Sequence, residues 1–108
     1  MSTRVLQHPD AAEIRLEAVL HALADPMRLE VVCFLAAHGG EAGCAEIDLG
    51  VSKSTGTHHY RVLREAGVIT QVYRGTAKIN SLRRDDLDAL FPGLLDSVVT
   101  AAARRVRV

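Results

Sequence analysis

Apolar residues recur at helical spacing through most of the chain and switch to strand spacing once. Ile14, Leu16, Val19, Leu20 and Leu23 share a face, with Glu13, Arg15 and Glu17 opposite, which predicts a first helix from about Asp10 to Ala24. Asp25-Pro26 marks a second start. An Asp at the N-cap accepts backbone N–H bonds, and a Pro at the first helical position lacks only a donor that would be orphaned anyway. This helix runs to a stop at Gly39-Gly40. Its consecutive Val31, Val32, Cys33, Phe34 and Leu35 suit a helix covered on most sides, so it is the predicted central core helix. Residues 44–49 read as a brief helix with Ile47 and Leu49 inward, closed by Gly50. A fourth helix follows over 52–66, opened by Ser52, with Val62 and Leu63 as buried candidates, and stops at Gly67.

After Gly67 the period shortens to two. VITQVY and AKINSL flank Arg74-Gly75-Thr76, which predicts a β-hairpin with Val68, Val72 and Ile79 on its covered face. Asp85-Asp86 open the last helix, where acids suit the positive end of the helix dipole. Leu87, Leu90, Phe91, Leu94, Leu95, Val98, Val99 and Ala102 form one stripe, which Pro92-Gly93 should kink or break. The stripe is long for so small a domain. It either docks on its own core or forms a seam with the first helix of a second copy.

At 108 residues the chain makes one domain with a modest core. Aromatics are 4% and Trp is absent, so that core is built from Leu, Val, Ile and Ala. The division is a flexible arm over 1–9, one domain over 10–103 and a basic tail over 104–108. No apolar run reaches the ~18 residues of a membrane span. The first nine residues are too short and polar for a signal peptide. The expectation is a cytoplasmic protein with no membrane partner.

The net charge of zero conceals a division. Residues 52–84 carry seven positive and one negative side chains, net +6; residues 1–51 carry three and eight, net −5; residues 85–108 carry three and four, net −1. A basic middle block is an electrostatic footprint for a polyanion. Two helices joined at Gly50, the second basic on its exposed face, make a helix-turn-helix, and the hairpin after it makes a wing. No nucleophile–base pair, phosphate loop or carboxylate dyad is present, which speaks against an enzyme. Cys33 and Cys44 lie eleven apart, neither a CxxC site nor a disulfide scaffold.

ALADPMRLEVVCFLA over 22–36, SKSTGTHHYRVLREAGVI over 52–69 and VYRGTAKINSLR over 72–83 together resemble the ArsR/SmtB family of bacterial winged-helix transcriptional repressors. The resemblance spans about residues 12 to 100. It implies a mainly α fold with a small β-hairpin, a winged helix-turn-helix of order ααααββα that dimerises through its first and last helices. Leu16, Leu20, Leu90, Leu94 and Val98 are then the dimer-interface residues. It also implies a homodimer on double-stranded, palindromic operator DNA, released by an effector. Lys53, Ser54, Thr55, Thr57 and His58 fall in the groove-facing part of the recognition helix, where Lys53 can reach a guanine edge or a phosphate. Arg61 and Arg64 are candidates for phosphate contacts or a solvated face, His59 for a packed structural residue. Arg74 falls at the wing tip, with Lys78 on its basic flank.

The sequence departs from the family in two respects. Gly56 stands where the family usually has a branched apolar residue such as Val. Neither common metal site is intact: the third-helix cysteine pair is reduced to Cys44, and no histidine follows His59, so a two-histidine site on the last helix cannot be built. The effector stays open. A transition metal ion would have His8, Asp10, His21 or Cys44 as candidate ligands; a thiol switch would use Cys33 and Cys44; a small organic ligand or a protein partner are the others. A winged helix used as a protein-interaction module is the alternative function.

Overall fold

The computed structural model describes residues 3–105. In chain order its elements are β1 (Thr3–Val5), α1 (Leu16–Leu23), α2 (Pro26–His38), β2 (Ala42–Gly43), α3 (Lys53–Glu65), β3 (Ile69–Arg74), β4 (Ala77–Leu82), α4 (Arg84–Leu90) and α5 (Leu94–Arg105). Short 3-10 turns occupy Ala11–Glu13 and Cys44–Glu46.

The Asp25-Pro26 start forms as the sequence predicts. Asp25 Oδ1 accepts from the amides of Met27 at 2.8 Å and Arg28 at 3.1 Å. Such a cap contributes about 0.5–2 kcal/mol. α2 is the central helix, packed against α1, α3, α5 and β4. Val31, Val32 and Leu35 are buried, and Cys33 and Phe34 are half-buried. Pro92-Gly93 breaks the last helix into α4 and α5, as expected.

The first predicted helix is shorter than its apolar period suggests. Asp10 opens only the 3-10 turn, with Glu13 Oε1 accepting from the Asp10 amide at 2.8 Å. The chain then extends through Ile14 and Arg15 before α1 begins at Leu16. The reason is packing: buried Ile14 plugs the space beside Gly67, where α3 ends. Similarly, the predicted helix over 44–49 contracts to the turn Cys44–Glu46, although Ile47 still points inward.

The sheet has the order β1-β3-β4-β2, all antiparallel. β3 and β4 form the wing, turning through Gly75-Thr76 between the paired Arg74 and Ala77. Gly75 has φ 66° with Thr76 on the negative side, the pattern of a two-residue II′ hairpin turn. The segment expected as an arm is tied to this wing: Val5 pairs with Val72 and Arg4 with Tyr73. α5 continues to Arg105, into the expected tail; residues 106–108 lie outside the described residues.

The covered face of the hairpin differs from expectation. Gln71 and Asn80 are fully buried, while Val72 and Ile79 are half-buried on the other face. Period two alone cannot choose between the faces. The polar pair is tolerated inside because its groups are satisfied. Gln71 Nε2 donates to Asn80 Oδ1 at 2.7 Å, and Asn80 Nδ2 donates to the Ala42 carbonyl and the Cys44 thiol, both at 3.2 Å.

Candidate nucleic-acid interface

α3 starts on hydroxyls. Ser52 Oγ accepts from the Thr55 amide at 3.2 Å and lies 2.9 Å from Thr55 Oγ1. Thr57 Oγ1 donates back to the Lys53 carbonyl at 2.9 Å. The period of the helix then sorts its side chains. Lys53, Ser54, Thr55, Thr57, His58 and Arg61 are exposed, whereas His59, Tyr60 and Leu63 are buried. Six of the nine residues expected to meet DNA thus stand in solvent on one helix, four of them in its first five positions.

The other three have partners. Arg64 is half-buried and turned toward the sheet, where Nη1 donates to Gln71 Oε1 at 2.6 Å. Arg74 stands exposed at the wing tip, where both terminal nitrogens donate to the Glu41 carboxylate at 3.0 Å. That guanidinium holds the Glu41 carboxyl below its usual range. Lys78 Nζ lies 5.4 Å from the centre of the Tyr73 ring, and Arg4 approaches the same ring at 4.6 Å. β1 therefore adds a cation to the wing that the sequence reading did not foresee.

His59 is packed, as expected. Its Nδ1 lies 3.3 Å from Arg28 Nη1 and 3.8 Å from Asp25 Oδ1. Arg28 is itself buried; Nε donates to the Ala22 carbonyl at 2.7 Å and Nη2 to that of His21 at 3.3 Å. One guanidinium thus closes the last turn of α1 and touches the back of α3. Burial pulls the Asp25 carboxyl upward, but the Arg28 and Met27 amides, with His59 and Arg28 charge, outweigh it and hold its pKa low. The string DPMR was readable as a helix start; that its Arg turns inward was not, because the carbonyls it meets belong to the preceding helix.

The candidate metal ligands lie on separate elements. His8 Nε2 accepts from the Gln71 amide at 2.9 Å, Asp10 opens the first 3-10 turn, and Cys44 Sγ accepts from Asn80. His21 is exposed in the last turn of α1. Among the described residues, no three His, Cys, Asp or Glu side chains gather as a metal site. Cys33 and Cys44 are both thiols. Of the residues assigned to a dimer seam, Leu16, Leu20 and Leu90 are 43%, 46% and 39% exposed, and Leu94 and Val98 are half-buried. Leu20 and Val98 line one shallow apolar depression with Leu29. Among the described residues, no helix is long and apolar enough to cross a membrane.

No family model matches the sequence. The uncharacterized HTH-type transcriptional regulator YceK of Bacillus subtilis (strain 168) is 32% identical over 82 residues, covering 74% of this chain and 82% of YceK. The fold is similar to the crystal structure of the transcriptional repressor BigR from Xylella fastidiosa, with a TM-score of 0.56, 25% identity, and coverage of 70% of this chain and 85% of BigR. HlyU from Vibrio cholerae N16961 has a TM-score of 0.57 at 23% identity, covering 69% of this chain and 89% of HlyU. An ArsR family transcriptional regulator of known structure has a TM-score of 0.63 at 20% identity, covering 84% and 92% of the two chains. At those identities the last two likenesses concern the fold alone. With the YceK identity, the helix-turn-helix and the wing taken together, the chain belongs to the ArsR/SmtB family of winged-helix transcriptional regulators.

Proposed function

We propose that this chain is a DNA-binding transcriptional repressor, acting in the cytoplasm as a homodimer on a palindromic operator and released by an effector. The observation that carries the reading is the exposed group Lys53, Ser54, Thr55, Thr57, His58 and Arg61 on α3, beside the wing and inside the basic block. A helix of this width enters the major groove, where Lys53 and the hydroxyls meet base edges and phosphates. Arg61 and Lys78 supply phosphate contacts on either side. Arg74 exchanges Glu41 for a phosphate when DNA arrives. Arg64 acts from behind, by holding α3 against Gln71 of the wing. Leu16, Leu20, Leu90, Leu94 and Val98 join two copies, so that the two reading helices sit about one DNA turn, ~34 Å, apart.

The test is a mobility shift on the promoter of the neighbouring gene, across a range of salt. The Lys53→Ala, Arg74→Ala double variant should bind at least about tenfold more weakly. It should also flatten the plot of log affinity against log salt by up to about 3.6, since the dimer loses two cations from each chain and each lost phosphate contact removes roughly 0.9 from the slope. Unchanged affinity and slope would remove this face from consideration.

A further inference from the structure

A cleft of about 650 Å³ separates the first half of α3 from the wing. Lys53 and Gly56 line the α3 side, Tyr73 and Lys78 the wing side, and Ile47 and Tyr60 are also in its lining. Its size falls in the range of small-molecule sites, roughly 300–1,000 Å³.

Three features give the cleft a chemistry. First, it is held open at Gly56. This glycine sits inside a helix, where it costs about 0.5–1 kcal/mol against Ala. A Cβ there would meet no atom within 4 Å, so packing does not demand a glycine. Second, the walls carry opposed cations, Lys53 and Lys78. The carboxylate in the lining, Asp48, already accepts the Gly50 amide at 2.9 Å. Third, the lining includes the aromatic side chains of Tyr60 and Tyr73 and the aliphatic ones of Ile47, Leu49 and Val51. Tyr60 is 5% exposed, and its buried hydroxyl, near the Cys44 thiol, makes no well-formed hydrogen bond.

We propose that the cleft binds a small organic anion with a flat apolar body, an aromatic carboxylate or sulfonate, and that the bound anion withdraws Lys53 and Lys78 from DNA. The second half rests on the DNA-reading role proposed above; the first does not. The anionic group sits between the two ammonium groups and the apolar body lies against Tyr73 and Ile47. Because the same lysines face the phosphates, anion and operator bind exclusively, and each lowers the affinity for the other by the same factor.

The test uses the full chain and two fluorescent probes, anilinonaphthalene sulfonate and its uncharged counterpart phenyl-naphthylamine. The sulfonate should bind at one site per chain, about tenfold or more tighter than the neutral probe. Gly56→Leu, which fills the α3 wall, should weaken the sulfonate at least about tenfold while the thermal transition does not fall. Lys78→Gln should weaken it about threefold or more. Equal binding of the two probes, or sulfonate binding that survives Gly56→Leu and vanishes in Leu20→Ser on the α1 surface, would overturn the site. Should Gly56→Leu unfold the chain, the probe pair and Lys78→Gln still decide. In a mobility shift, saturating sulfonate should lower operator affinity at least about tenfold. Site binding without that loss overturns the exclusion and leaves the site. Site binding in a chain that never shifts DNA overturns the DNA reading instead.

Discussion

Glu41 and Arg74 sit thirty-three positions apart, and their pair decides how the wing tip meets an anion. Both side chains are about half exposed, so water and salt already weaken the contact. A phosphate can replace the carboxylate at little cost. Glu41→Gln should therefore raise operator affinity about two- to fivefold at low salt, with the gain shrinking as salt rises. Mobility shifts at two salt concentrations check this, and a fall in affinity would mean that Glu41 aims Arg74 instead of competing for it. His8 makes a prediction of a different kind. Its Nε2 accepts the Gln71 amide and must carry no proton to do so. Burial lowers its pKa below 6.5, the Arg64 and Arg83 charges push the same way, and the Leu6 carbonyl opposes them. The unfolded chain thus takes up the proton first as pH falls. The stability from this contact is whole above about pH 6.5 and is lost as pH drops from there toward the lowered folded value. Hydrogen-exchange protection of the Gln71 amide should fall over that interval, and His8→Gln should remove the dependence.

At the scale of elements, two glycines, one inside α3 and one just past its end, have opposite meanings. Gly67 ends it with φ 86°, and a Cβ there would lie 2.5 Å from Ile14 Cγ1 and 2.7 Å from its Cδ1. Gly67→Ala should cost about 2–4 kcal/mol, from the positive φ together with overpacking. Gly56→Ala, in open space, should instead add about 0.5–1 kcal/mol. Urea unfolding of the two variants gives the comparison, and equal effects would refute the packing of Ile14 under α3. Elements with local signals were legible in the sequence. Asp25-Pro26 starts α2, Gly75 turns the hairpin, Pro92-Gly93 splits the last helix, and the helical period turns Lys53, Thr57, His58 and Arg61 outward as the structure has them, while the burial of Tyr60 was not foreseen. What escaped depended on distant partners. Thr3–Val5 becomes a strand only because β3 offers it an edge. Gln71 and Asn80 turn inward because Arg64, Ala42 and Cys44 complete their hydrogen bonds. Arg64 looked like a solvent-facing cation because its partner on β3 was invisible from the helix period.

For the whole molecule, the exposed leucines of α1 and α4 set the expected assembly. Leu16, Leu20 and Leu90 are each about two-fifths exposed, and Leu20 shares a shallow apolar depression with the half-buried Val98. In the proposed dimer, Leu20→Glu would place a charge in an apolar seam. Sedimentation equilibrium should then show monomer at concentrations where the parent chain is dimeric, and operator affinity should fall with it; an unchanged mass would move the seam elsewhere. The sheet carries a further consequence. β3 is paired on both sides, by β1 and β4, and β4 is paired by β3 and β2. The strands left outermost among the described residues are therefore only three and two residues long. A bare six-residue β3, with Ile69, Val72 and Tyr73 along it, would offer other molecules a ready row of amides and carbonyls. Thr3–Val5 pairs with Val72–Arg74 and so covers the outer half of that row, leaving less of it for strand-by-strand association in a crowded solution.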